Sequence, residues 1–145
     1  MKEKSTDQLN ETLKSTSPIS FKKYLSTLPC APTLQDYFAS YIAIHKWNPA
    51  DIVKNSHISK SYAHEILSGK KPHPSRDYLL SLCLGAHMDL DTTQHALRIA
   101  QLGELYSKVP RDAAIMLHIN QKIWNIVTIN LFLEEHHLEI LCSKK

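Results

Sequence analysis

Apolar residues recur along this chain at spacings of three and four, broken by short polar runs, and the pattern predicts a succession of short helices. Leu9 and Leu13 mark a possible helix over 7–14, which Ser15–Pro18 breaks; Ser20 then caps a second, with Phe21, Tyr24, Leu25 and Leu28 along one side. Pro29, Cys30, Ala31 and Pro32 read as a hinge. Thr33 caps a longer helix running to about Lys46, with Leu34, Tyr37, Phe38, Tyr41, Ile42 and Ile44 as its apolar residues and Trp47 closing it. Asn48 as cap, Pro49 at the first helical position and Asp51 in the first turn restart the chain, and Ile52 and Val53 point inward. Ser59 caps the next helix, which buries Ala63, Ile66 and Leu67 and stops at Gly69.

Beyond the loop 70–74, Ser75 caps a helix carrying Tyr78, Leu79, Leu82, Cys83 and Met88. Asp89 or Asp91 opens another, with Leu97, Ile99, Ala100 and Leu102, and Gly103 is expected to stop it. Pro110 opens a further helix (Ala113, Met116, Leu117) ending near Asn120. The last begins near Asn125 and carries Ile126, Ile129, Leu133 and Leu138, with Glu134 and Glu135 at the end where acids are unfavourable. Neither strand-like alternation nor a short internal repeat is visible. The expected fold is all-α: an N-terminal extension over 1–32, a main domain over 33–105 and a helical C-terminal extension over 106–145 packed on it.

The 145 residues suffice for a core without disulfide or metal staples. Lys and Arg total 17 against 14 Asp and Glu, a formal charge of +3 that permits nucleic-acid binding without requiring it. Nine histidines would raise that charge below about pH 6.5. Three scattered cysteines, Cys30, Cys83 and Cys142, suggest neither a disulfide framework nor a zinc knuckle. Cys83, on a core face, is most simply a buried small hydrophobe. The N-terminal residues lack a signal-peptide core and no window is long and apolar enough for a membrane span, so a cytoplasmic protein is expected.

Residues 49–74 hold the densest set of signals. A helix-turn-helix needs a packing pair on its first helix, one residue of unusual backbone in the turn, an apolar plug after it, and a second helix with one stripe buried and the other free. Ile52 and Val53 supply the pair, His57 the turn, Ile58 the plug, and Ala63, Ile66 and Leu67 the buried stripe. A histidine tolerates positive φ better than a branched residue does. Lys60, Ser61, His64, Glu65 and Ser68 are left on the free face, with Tyr62 near its edge.

The segment 49–87, and within it Ser61–Leu80 (SYAHEILSGKKPHPSRDYLL), resembles the lambda-repressor and Cro class, also called the xenobiotic-response-element family. Pro110–Ala114 (PRDAA) and Asn130–Leu138 (NLFLEEHHL) resemble the C-terminal extension of a Gram-positive bacterial subgroup of such regulators, and residues 21–28 its N-terminal lead-in. The likeness spans roughly 7–141. It implies a lambda-repressor-like helix-turn-helix bundle with extra N- and C-terminal helices, and a transcriptional regulator that places the second motif helix, about Lys60–Ser68, in the major groove of double-stranded DNA. By position, Ser59, Lys60 and Ser61 match the end of that helix nearest bases and phosphates, with Tyr62 beside them. His64 and Glu65 match the outward positions one turn later, and Lys70 and Lys71 a phosphate-binding loop. Two positions depart: Pro49 and Glu65 stand where glutamine is common. Between 48 and 76 the bases Lys54, Lys60, Lys70, Lys71 and Arg76 face the acids Asp51 and Glu65, a net +3.

Other readings of these residues are blander. Lys70 and Lys71 suit any solvated loop, and Arg76 and Asp77 a helix start with an ion pair. His136, His137 and Cys142 invite a metal, but adjacent helical histidines point about 100° apart, and His95 and His118 have no spaced partner. No metal or cofactor is expected. No glycine-rich phosphate loop, nucleophile elbow or HExxH is present, so no enzyme is expected either. One motif reads half a site, which makes a homodimer the natural expectation. The alternative is a non-enzymatic protein-interaction or signalling adaptor on the same fold, docking a protein partner through the C-terminal helices, with Trp124, Leu131 and Phe132 as the residues to watch.

Overall fold

The computed structural model describes residues 32–141, together with Asn10, Lys14 and Ser20. The chain divides into two units, Met1–Ala31 and Pro32–Lys145. The helix expected over 20–28, most of that over 7–14, most of the hinge at 29–32, and Cys30 and Cys142 lie outside the described residues.

Seven helices follow Thr33, and no strand occurs among the described residues: α1 Leu34–His45, α2 Pro49–Ser56, α3 Lys60–Leu67, α4 Arg76–Gly85, α5 Leu90–Ile99, α6 Pro110–Asn120 and α7 Ile126–Glu135. Their starts are written in the sequence. Thr33, Asn48, Ser59, Ser75, Asp89 and Asn125 each accept a backbone N–H two or three residues on, while Pro49 and Pro110 take the first helical positions of α2 and α6. The ends follow a different rule. Gly103 does not stop α5; the helix ends at Ile99, and Gln101 turns the chain in the left-handed region at φ 60°. Lys46, His57, His87, Lys122 and His137 do the same elsewhere.

The core is one cluster. Phe38 of α1, Ile52 of α2, Ile66 of α3, Leu79, Leu80, Leu82 and Leu84 of α4, Leu97 of α5, Ile115 of α6, and Ile129 and Leu133 of α7 are fully buried in it. α4 lies at its centre, packed against α2, α5 and α7. Its Gly85 permits the closest approach: a Cβ there would stand 2.6 Å from the Ile52 carbonyl oxygen and 3.0 Å from the Ser56 nitrogen. Cys83 is buried beside it and its thiol is pushed far up by desolvation.

The sequence pattern shows no short internal repeat, but the structure relates two longer segments. α4–α5 and α6–α7 are two copies of one helical hairpin. Arg111 follows Arg76 by 35 positions, and Asn130 follows Gln94 by 36, one residue having been added in the turn. Gln94 donates to the Leu105 carbonyl at 2.8 Å and accepts its N–H at 2.7 Å; Asn130 does the same to Leu141, at 3.2 and 2.8 Å. Arg76 donates to the carbonyls of Gly103 and Glu104, and Arg111 to those of Glu139 and Ile140. His87 and Lys122 hold equivalent left-handed turns, as do Gln101 and His137.

The copies are clasped reciprocally. Arg76 makes a bidentate pair with Asp112 (3.0 and 2.8 Å), and Arg111 with Asp77 (2.9 and 2.9 Å). Arg76 and Asp77 therefore do not pair with each other, as neighbours on a helix do not face one another. The exchange of partners, with α4 touching α7 and α5 touching α6, is that of a two-fold relation between the hairpins. Burial raises the Asp112 pKa, but hydrogen bonds from Arg76 and the Tyr106 N–H, with the charges of Arg76 and Arg111, more than reverse this and hold the carboxyl below its usual range.

Candidate nucleic-acid interface

α2 and α3 are joined by His57, Ile58 and Ser59. Asn48 caps α2 by accepting the Ala50 N–H at 3.0 Å, and Ile52 and Val53 turn inward. The buried Ser56 hydroxyl donates to the Val53 carbonyl at 2.6 Å, closing the helix from within. His57 then takes φ 60°, ψ 15°, Ile58 is buried beneath the turn, and the Ser59 oxygen accepts the Tyr62 N–H at 3.2 Å. α3 buries Ala63 and Ile66. Ile52, Val53, Ile58, Ala63 and Ile66 are buried as the pattern of residues 49–69 expects, whereas Leu67, expected in the same stripe, is only partly buried.

On the outer side, Ser59, Lys60, Ser61, His64 and Lys70 are exposed. The other three candidate residues are tied together: Lys71 pairs with Glu65 at 3.6 Å and its ammonium lies 5.2 Å from the centre of the Tyr62 ring. Tyr62 packs against Tyr78 of α4 with ring centres 4.3 Å apart, so it braces α3 as much as it lines the face. The Glu65 carboxylate is thereby partly neutralised. Arg76 is drawn off to Asp112 and does not join this surface.

Two residues outside the candidate set do join it. Lys54 and His57 line, with Lys60 and His64, a shallow groove of about 350 Å³ between α2 and α3. Lys54, absent from the candidate contacts, is exposed in the last turn of α2, two residues before Ser56. A second groove of about 460 Å³ runs along the other flank of α3, past Pro49, His64, Glu65, Ser68 and Lys70. Lys54, Lys60 and Lys70 have no carboxylate partner among the described residues.

Two histidines beyond α3 are engaged with their own helices. His118 is buried, with Nδ1 2.7 Å from the Ala114 carbonyl, and His136 has Nδ1 2.9 Å from that of Phe132. Among the described residues no three His, Cys, Asp or Glu side chains converge as metal ligands, and no helix is long and apolar enough to cross a membrane. No protein-family model matches the chain, and no curated protein or solved structure does.

Proposed function

We propose that this protein is a DNA-binding transcriptional regulator of the lambda-repressor/Cro kind, with α2, the turn and α3 as its helix-turn-helix and α3 entering the major groove. The observation that supports this best is the outer edge of α2–α3. Lys54, Lys60 and Lys70 have no carboxylate partner among the described residues and stand around the exposed Ser61 and His64, while Glu65 is occupied by Lys71. Lysines in that ring would hold phosphates, and Ser61 and His64 would meet base edges. Arg76 and Tyr62 serve the fold and are not assigned contacts.

The test is selection of genomic fragments at low salt, followed by anisotropy titration of the enriched fragment at several salt concentrations. Lys60→Ala and Lys70→Ala should weaken binding to all fragments alike and reduce the salt slope by about 1 each, whereas His64→Ala should change which fragment is preferred. Failure to enrich any fragment would sink the proposal. A protein-interaction adaptor on the same fold is then the better function, on the strength of the exposed Val127 and Leu131 on α7. Trp124, expected to share that surface, is instead half-buried and donates to the Met88 carbonyl at 2.9 Å.

A further inference from the structure

The two hairpins share a plan but not a surface. Aligned by their caps, Asp89 and Asn125, Val127 and Leu131 of α7 stand where α5 has Asp91 and His95. All four are exposed, His95 with its ring against Tyr37 of α1, and only the α7 pair is apolar: Val127 is 51% exposed and Leu131 58%. Leu117 of α6 is 44% exposed where its counterpart Leu82 is fully buried. Beside these side chains, Ala113 and Leu117 of α6 and Phe132 and Leu138 line an open apolar groove of about 400 Å³. Projecting apolar residues and an apolar groove on one hairpin are what a self-complementary contact requires.

Charge points the same way. α5 has Asp91 in its first turn and Arg98 in its last, as the helix dipole favours. α7 has no acid in its first turn and no base in its last; Glu134 and Glu135 end it, both exposed, and the exposed Lys122 precedes it. That polarity is unfavourable for the helix alone. Two α7 helices laid antiparallel reverse it, because Lys122 and the N-terminal end of one lie along the glutamates of the other.

We propose that the α6–α7 hairpin is the contact by which two copies of this chain associate, about a two-fold axis passing near Leu131. In the first hairpin the corresponding side of α4 is covered by α2, whose Ile52 and Ser56 backbone lies against Gly85. In the second hairpin another copy of the chain takes that role. The association does not depend on DNA binding, although it would supply the second motif for a two-half-site operator.

Sedimentation velocity of the full chain, up to about 100 μM, tests it. The wild type should be a dimer. Leu131→Arg should raise the dimer Kd about thirtyfold or more, leaving far-UV circular dichroism unchanged because the side chain is exposed on the single chain. Glu134→Lys with Glu135→Lys should weaken the dimer at low salt, and adding Lys122→Glu should restore it. In a Cys30→Ser, Cys142→Ser background, Leu131→Cys should form a disulfide-linked dimer on mild oxidation. Ile44→Cys, on α1 at a site 74% exposed, should not. A wild type that stays monomeric throughout, a Leu131→Arg dimer of undiminished strength, or cross-linking no faster at Leu131→Cys than at Ile44→Cys would each overturn the proposal. Loss of the dimer with DNA binding intact, or the reverse, separates this proposal from the proposed function.

Discussion

The α4–α5 and α6–α7 hairpins answer one backbone plan with two chemistries. Both begin with Arg-Asp, both turn on a left-handed residue, and both close with a side-chain amide clamping a backbone amide eleven residues on. The first is enclosed: Leu79, Leu80, Leu82 and Leu84 are all buried, and Gly85 admits α2 to contact. The second has Asn120 where the first has Gly85, and Leu117 where the first has Leu82, both open to solvent. A shared architecture can therefore be fixed by a few polar anchors while the remaining positions diverge to suit what each copy faces. The first hairpin carries α2 and, through it, the candidate DNA face; the second presents an apolar surface outward.

The sharpest way to break the relation between the copies is at their clasp. Asp112 is buried, accepts two bonds from Arg76 and one from the Tyr106 N–H, and has Arg111 nearby. Asp112→Ala leaves the part-buried Arg76 without its carboxylate and the Tyr106 N–H without its acceptor, and should cost about 2–3 kcal/mol. Urea unfolding would measure it. A loss under about 1 kcal/mol would mean that this half of the clasp adds little to the joining of the hairpins. The folded-state pKa of Asp112 is depressed, so its contribution is complete above the unfolded value near 4 and is lost as pH falls through the folded one. Asp112→Asn should remove that part of the acid sensitivity.

Next in size is a paired substitution at equivalent sites. Gly85→Ala places a methyl group within 2.6 Å of the Ile52 carbonyl, and backbone must move to admit it. A loss of about 1–3 kcal/mol is expected, despite the helix propensity gained. Asn120→Ala, in the exposed copy, should change stability by no more than about 0.5 kcal/mol. The difference between the two midpoints in urea measures how differently the copies are used. Equal effects would show that α2 does not press on α4 as closely as the geometry indicates.

Much of this fold was legible in the sequence, and the parts that were not have physical reasons. Helix starts are chemical events: Thr33, Asn48, Ser59, Ser75 and Asn125 are short polar residues before apolar runs, and Pro49 and Pro110 can sit at first positions without loss. Helix ends were less visible because the chain has only three glycines, so ordinary residues take the left-handed turns; Gln101 ends α5 where Gly103 looked the better stop. The hairpin repeat escaped because the extra residue in the second turn shifts the register. Its anchors also change identity, from Gln94 to Asn130, and couple positions some 35 apart that no local pattern connects. In the candidate interface the exposed Lys60, Ser61 and His64 could be read from the free stripe of α3, and Lys70 from the loop behind it. The diversion of Arg76 to Asp112 and of Lys71 to Glu65 could not, because each depends on a partner's position in space.

The smallest expected effect lies where the turns of the two hairpins meet. His87 turns the first hairpin, and its ring stacks on Trp124 of the second at 4.7 Å and 10°, with Trp47 edge-on at 5.0 Å. Desolvation lowers the His87 pKa, so the folded protein binds its proton less readily than the unfolded chain does. The contribution is then complete above the unfolded value near 6.5 and is lost as pH falls toward the lower folded value. His87→Asn keeps a residue that tolerates positive φ while removing the titration. Between about pH 6.5 and 5 the Tm of the wild type should fall slightly more than that of His87→Asn. Tryptophan fluorescence should report the same transition, because the chain's two tryptophans flank this one ring. If the two proteins have parallel Tm profiles across this window, His87 is bound to the turn by packing alone and its proton plays no part in joining the hairpins.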